Sequence, residues 1–430
     1  MKNKSPISSW QEYSFSEIAK KDKFAIVDGP FGTQLHSDEY TETGIPLVRI
    51  ENLSFSGKFS PENLVFISEK KANQLNRSRV VPGDLIIAKT GATIGKSGMF
   101  PKTFTDGIIA SSCMKVSCDP KKVDPKLILY MIVWENGQKK ILEGAGGSTR
   151  TSINIGPFSD IRLLIPESIS EQHKIAEILT TVDDAIEQTE ALIRKHQRIK
   201  QGLMQDLLTR GVDANGEIRG QKNHRFKNSE IGPIPYEWEV IDFEHLVNHI
   251  TARWIPRNTG GSFPCLNLEN IESETGQVNG FSDAIENAST KTIFQKGDIL
   301  FGKLRPYLKK YWIADVDGVC TTEILVFRAQ RSIDHRYIYY LVQSEKFINY
   351  TISSSFGTKM PRTSWEIIKR YKIGKPDFEE QTRISKILSI NDSQIEISQV
   401  ELSKLNSLKQ GLMQDLLTGK VRVNALLKTD

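Results

Sequence analysis

Cysteine is scarce in this chain, and its spacing is uninformative. The four residues Cys113, Cys118, Cys265 and Cys320 form no C-x-x-C pair, so neither a zinc site nor a disulfide framework is suggested. Seven histidines include no H-E-x-x-H spacing, which leaves metal catalysis without support. Long hydrophobic runs are missing as well. The apolar run Leu127 to Val133 is far shorter than the roughly 20 residues that cross a bilayer, and Met1 to Trp10 contains no apolar signal core. A cytoplasmic protein without a membrane partner is expected. Nor does one sign of charge dominate: 57 basic against 52 acidic residues leave a net charge of +5, too mild to announce nucleic acid by itself. What is present is ordinary globular material, 38% hydrophobic and 25% charged over 430 residues. That excludes disorder, collagen and continuous coiled coil, and the length implies two or more domains at roughly 100 to 200 residues each.

Signatures of catalysis are lacking too. Gly91 to Ser97 (GATIGKS) resembles a phosphate-cradling P-loop but is one residue short between its glycines, and the matching stretch of the second half, Phe301 to Lys310, has no glycine-rich loop. Leu142 to Gly147 (LEGAGG) resembles the turn with which methyltransferases hold S-adenosylmethionine, yet no N-P-P-Y or D-P-P-Y tetrapeptide occurs. Neither an acid cluster with a lysine at nuclease spacing nor a G-x-S-x-G elbow is found. The chain reads as a binding protein, not an enzyme, with no catalytic residue, bound metal or cofactor of its own.

Self-comparison supplies the architecture. Residues 171–212 align without a gap on 380–421, nearly half of the positions being identical, and Lys200 to Thr209 and Lys409 to Thr418 both read KQGLMQDLLT. Weaker echoes run upstream in the same order. Trp10 matches Trp238, Ile45 to Leu53 matches Phe263 to Ile271, Gly83 to Ala88 matches Gly297 to Gly302, and Lys126 to Ile132 matches Arg336 to Val342. Each half is thus a variable domain followed by a repeated segment. The variable domains mix β-branched and aromatic runs (Leu64 to Ile67, Asp84 to Ala88, Ile324 to Arg328) with turn residues, which fits short strands and a few helices, an α+β fold class. The expected boundaries are 1–170 and 237–379 for the variable domains, 171–212 and 380–421 for the repeated segments, a Gly- and Pro-bearing linker at 213–236, and a tail at 422–430.

In the first repeated segment Ile175, Leu179, Val182, Ile186, Ile193, Leu203 and Leu207 follow spacings of four and three, with Ile178, Ala185, Leu192 and Ile199 widening the face. Its copy carries Ile384, Leu388, Ile395, Leu402, Leu405, Leu412 and Leu416, broken by Asn391 and Ser398. A helix from Glu171 to Thr209 would measure roughly 58 Å at about 1.5 Å per residue, too long to bury within one domain. Pairing the two segments as an antiparallel coiled coil covers both apolar stripes and yields a pseudo-two-fold internal repeat. The polar members of the decamer are not dictated by such a seam, and Gly202 and Gly411 each cost roughly 1 kcal/mol in a helix interior. Two equivalent docking surfaces for two copies of one partner are therefore expected. They comprise Lys200, Gln201, Gly202, Gln205 and Asp206, and Lys409, Gln410, Gly411, Gln414 and Asp415.

Two different domains each ending in a near-identical long helix, the approach Ile231 to Trp238 (IGPIPYEW), and the Glu-Gln pairs Glu171-Gln172 and Glu380-Gln381 together resemble the DNA-specificity subunits of type I restriction-modification systems. The likeness spans nearly the whole chain, although no IGPIP-type approach precedes Trp10. It implies two target recognition domains, each reading one half of a gapped, asymmetric site in double-stranded DNA, with the helices setting the gap. It also implies two adenine-specific methyltransferase subunits docked on the helices and restriction/translocase subunits in the full complex. S-adenosylmethionine, ATP and Mg would then be used by the partners. Under this reading the DNA contacts are basic and hydroxyl side chains in loops. The candidates are Lys89, Thr90, Lys96, Thr149 and Arg150 in the first domain, and Lys303, Arg305, Tyr307, Lys309, Lys310, Lys359 and Arg362 in the second. A coiled-coil scaffold without a DNA role, or the specificity subunit of another two-part restriction system that cuts on both sides of its site, remain as alternatives.

Overall fold

Four consecutive buried residues, Leu85–Ala88, mark a strand covered on both faces, and their counterparts Ile299–Gly302 are buried throughout in the same way. Around these two strands a computed structural model of the chain builds two units. It describes residues 9–30, 34–146, 151–255, 263–284, 289–357 and 359–427. The first unit comprises residues 1–189 with 401–430, and the second residues 190–400.

In the first unit Trp10–Ser14 pairs antiparallel with Arg162–Pro166, the strand that leads into the first long helix. A four-stranded sheet follows in the order Ile26–Asp28, Cys113–Val116, Leu85–Ala88, Ser97–Met99. A five-stranded sheet runs Tyr40–Thr41, Val65–Ile67, Ile45–Val48, Gly107–Ile109, Arg79–Val80, with Leu47 and Val48 paired in parallel to Ile108 and Ile109. The helix Pro125–Val133, started by the Asp124 cap, sinks Leu127 to Ile132 into the core.

The second unit repeats this plan. Glu239–Asp242 pairs with Lys372–Lys375, and the four-stranded sheet runs Val247–Ile250, Ile324–Ala329, Ile299–Gly302, Tyr311–Ile313. Its five-stranded sheet again holds one parallel pair, Cys265 and Leu266 against Val319 and Cys320, but takes its extra edge strand from Arg253–Trp254. His335–Gln343, capped by Asp334, stands where Pro125–Val133 does in the first unit. The upstream sequence echoes thus fall on equivalent strands and helices.

The long helices span Ile169–Leu207 and Phe378–Leu416, 39 residues each. Ser168 Oγ accepts from Glu171 N and Asp377 Oδ1 from Glu380 N, capping the two starts. The chain turns away beyond the first helix at Gly211, whose φ of 65° favours glycine and whose missing Cβ leaves room for Glu380 and Trp238. Inside each unit the first turns of one helix lie antiparallel to the last turns of the other. Ile175, Ala176 and Leu179 meet Met413, Leu416 and Leu417 in the first core, and Ile384 and Leu388 meet Leu207 in the second. The polar break at Asn391 is buried because its amide donates to His196 O and its oxygen faces His196 Nδ1, at 3.1 and 3.2 Å. Leu192 and Ile199, expected to widen the apolar face, are instead 43% and 39% exposed, since a two-helix seam covers only a narrow stripe. Among the described residues no helix is long and apolar enough to cross a membrane.

Candidate functional site

Each four-stranded sheet ends in the same loop. Ala88 N donates to Lys96 O and Gly302 N to Lys310 O, both at 2.8 Å, closing loops of equal length. A second segment straps each loop. Gly91 N reaches Thr151 O at 2.8 Å and Ile153 N reaches Lys89 O at 2.9 Å, while Arg305 N reaches Pro361 O at 2.7 Å and Thr363 N reaches Lys303 O at 3.0 Å. The bridges Gly146↔Ser152 and Phe356↔Arg362 close the straps in turn. The backbone scaffold is therefore shared, and apart from the lysine pairs Lys89/Lys303 and Lys96/Lys310 the side chains on the two loops differ.

In the second unit this scaffold gathers Lys303, Arg305, Tyr307, Lys359 and Arg362 from two segments remote in sequence. Tyr307 is 48% exposed, Lys359 is exposed, and Arg362 holds Glu323 with Nε at 3.2 Å from Oε2. Lys309 pairs with Glu274 at 2.8 Å, and Lys310 Nζ donates to Leu268 O at 2.8 Å, so both ammonium groups have partners inside the unit. In the first unit Lys89 is largely buried in an ion pair with Asp28 at 2.9 Å, an internal role. Thr90 bridges to Ser152 in the strap, and Lys96 stands over the ring of the exposed Phe55 at 5.8 Å. Thr149 and Arg150 lie outside the described residues. Phe55 escaped the sequence reading because a lone aromatic in a loop carries no periodic signal.

The repeated helices carry a second constellation. Lys200 Nζ sits 2.7 Å from Asp392 Oδ1 and 5.6 Å from the Tyr340 ring centre, and Tyr340 donates its hydroxyl to Asp392 at 3.0 Å. Lys409, Asp183 and Tyr130 repeat the cluster at 2.6, 5.8 and 2.7 Å. Burial raises both phenols far above their ordinary range, so they remain donors. Both lysines, expected on the docking surfaces, thus tie a helix to its own unit. Aligning Tyr130 with Tyr340 and Asp183 with Asp392 across the repeat would have exposed the trio in the sequence. The Glu-Gln pairs are internal as well. Glu171 accepts a forked pair from Arg422 at 2.6 and 2.7 Å, and Glu380 one from Arg219 together with Trp238 Nε1 at 3.0 Å. Gln172 and Gln381 bind the backbone of the preceding strand ends at Pro166 and Pro376, at 2.7 and 2.9 Å.

What remains outward on the decamers is Gln201, Gly202 and Gln205, and Gln410, Gly411 and Gln414, all exposed. Asp206 pairs with Arg210 at 2.6 Å and Asp415 with Lys420 at 3.0 Å. Nothing lies within 4 Å of a Cβ built on either Gly202 or Gly411. The glycines are not explained by packing within the described residues. In the second unit the exposed decamer face borders a cleft of about 1210 Å³, and Ile390, Ile397 and Val400 on its helices are 55%, 62% and 50% exposed. All four cysteines are buried, with Cys113 and Cys118 pushed up to about 12 by burial, which keeps these two thiols protonated and unreactive. Among the described residues no cluster of three or more His, Cys, Asp or Glu could hold a metal ion.

A duplicated unit with a shared loop scaffold, mostly different side chains on it and a long helix ending in the same ten residues defines an internally repeated chain, and known proteins give that class a family. The chain belongs to the type I restriction modification DNA specificity domain family, whose profile matches residues 8–195 and 235–407. It is 26% identical over 375 residues to the type I restriction enzyme MjaVIII specificity subunit of Methanocaldococcus jannaschii, covering 84% of each chain. Over 325 residues it is 27% identical to the EcoDI specificity subunit of Escherichia coli, covering 70% of this chain and 72% of that one. The crystal structure of the type I system S subunit from M. genitalium shares the fold, with a TM-score of 0.60 at 16% identity over 97% of this chain and 98% of that one.

Proposed function

We propose that this chain is the DNA-reading subunit of a type I restriction-modification complex. Each unit reads one half of a gapped, asymmetric site, and the long helices set the spacing and dock two adenine-specific DNA methyltransferase subunits. The chain itself is non-catalytic; S-adenosylmethionine, ATP and Mg belong to the methyltransferase and restriction/translocase partners. The observation that carries this reading is the contrast between two conserved backbone scaffolds with different loop side chains and two helices with the same outward decamer residues. Different loops suit two different half-sites, while identical helix faces suit two copies of one partner. Of the sequence candidates, Lys303, Arg305, Tyr307, Lys359 and Arg362 in the second unit and Thr90 and Lys96 in the first are the proposed DNA contacts. Gln201, Gly202 and Gln205 with Gln410, Gly411 and Gln414 form the proposed docking faces.

The test is a map of adenine methylation across the genome of cells expressing the chain with its companion methyltransferase, against cells lacking only this chain. A gapped two-part motif that depends on the chain is expected. Unchanged methylation while the two proteins still form a complex would replace this reading with that of a scaffold.

A further inference from the structure

The two strapped loops share their closing bond and both strap bonds, and this exposes one position where they differ in kind. Gly91 and Arg305 occupy the same place, each donating its amide to the strap at Thr151 O or Pro361 O. Both are left-handed, with φ of 61° and 51°. A second left-handed place follows in each loop, Gly95 at 90° and Lys309 at 49°. Glycine adopts this conformation without strain, whereas an arginine there is strained and persists only where the surroundings hold it. Lys309 is accounted for by its ion pair with Glu274. The Arg305 side chain is not: its Nε is buried and has no hydrogen-bond partner among the described residues. In the first unit the corresponding space is open, since a Cβ on Gly91 would meet nothing within 4 Å.

The Arg305 backbone is fixed on a strained, strapped turn followed by Pro306 and the exposed Tyr307, while the Nε of its guanidinium has no partner inside its own unit among the described residues. Its fork matches the paired acceptors N7 and O6 that guanine alone presents in the major groove. We propose that this position is where the two reading loops are made different. Arg305 donates to N7 and O6 of one guanine in the half-site read by the second unit, and Gly91 leaves the matching base of the other half-site without that contact. This rests on the DNA-reading function above.

The experiment maps adenine methylation for the unmodified chain, Arg305→Gly and Arg305→Lys, each expressed with the companion methyltransferase in cells that otherwise lack adenine methylation. Glycine is the residue the first unit uses here, so the loop keeps its conformation. Arg305→Gly should leave the gap and the other half-site unchanged. Within its own half-site one guanine should become degenerate, its discrimination falling roughly 10- to 100-fold. Arg305→Lys should relax the same base, because an ammonium cannot make the forked contact. An unchanged motif with Arg305→Gly overturns the proposal, as does uniformly weaker methylation that Arg305→Lys restores, which would mark a phosphate contact. Loss of methylation at every site with both variants overturns it too. Absence of a gapped motif with the unmodified chain removes the function reading itself, and so is distinguishable from failure of this inference alone.

Discussion

Glu380 shows how much can rest on one carboxylate. It is 2% exposed and accepts hydrogen bonds from Arg219, from Trp238 Nε1 and from Val212 N at 2.9 Å, so one side chain fastens the end of the first helix, the linker and the approach strand to the start of the second helix. Removing one partner of such a buried pair leaves an uncompensated charge, at about 3–5 kcal/mol. Glu380→Gln, nearly isosteric, should therefore lower the urea midpoint of unfolding markedly. Glu366→Gln, on an exposed side chain whose carboxylate pairs with Lys369, should barely move it. An equal shift for both variants would show that the buried pair contributes no more than a surface one. The Glu-Gln pairs were legible in the sequence as a family mark, but their work was not. Arg422 and Arg219 sit at unequal distances from the repeated helices, so alignment of the halves never brings the two arginines together.

At the scale of the element, the helices were the most legible part of the chain. Spacings of four and three between apolar residues, Pro166 and Pro376 upstream, and the repeated decamer locate both helices to within a few residues of Ile169–Leu207 and Phe378–Leu416. The strands were visible where β-branched and aromatic residues run together, as at Val65–Ile67, Leu85–Ala88 and Ile324–Ala329. Two-residue strands such as Arg79–Val80 and Ser282–Asp283 owe their existence to neighbours remote in sequence and leave no local pattern. The strapped loops were hidden for the same reason, because their partners lie far along the chain. Gly202 and Gly411 supply the prediction at this scale. Each stands exposed in a helix with open space where a Cβ would go, so alanine at both places should stabilise the isolated chain by roughly 0.5–1 kcal/mol per site. If the glycines admit a closely packed partner helix, the same variant should bind the methyltransferase more weakly. A higher melting temperature together with undiminished affinity in a titration would remove the close-approach explanation.

For the whole molecule, the proposed function assigns half-site identity and half-site separation to different residues, loop side chains for the first and helix length for the second. Inserting one or two helical turns into both long helices should lengthen the spacer of the methylated motif while leaving both half-sites as they were. A motif with an unaltered gap would exclude the helices as the measure of spacing.

The path of the chain has a consequence for its birth. Residues 190–400 are continuous, and the second unit can close as soon as they emerge. The first unit cannot, although most of it is translated earlier. Ile175 and Leu179 wait for Met413 and Leu416, and Glu171 waits for Arg422. During synthesis the half that is made first is completed last. A ribosome that stops before Met413 releases a nascent protein with one finished head and one whose apolar seam lies open to chaperones and proteases.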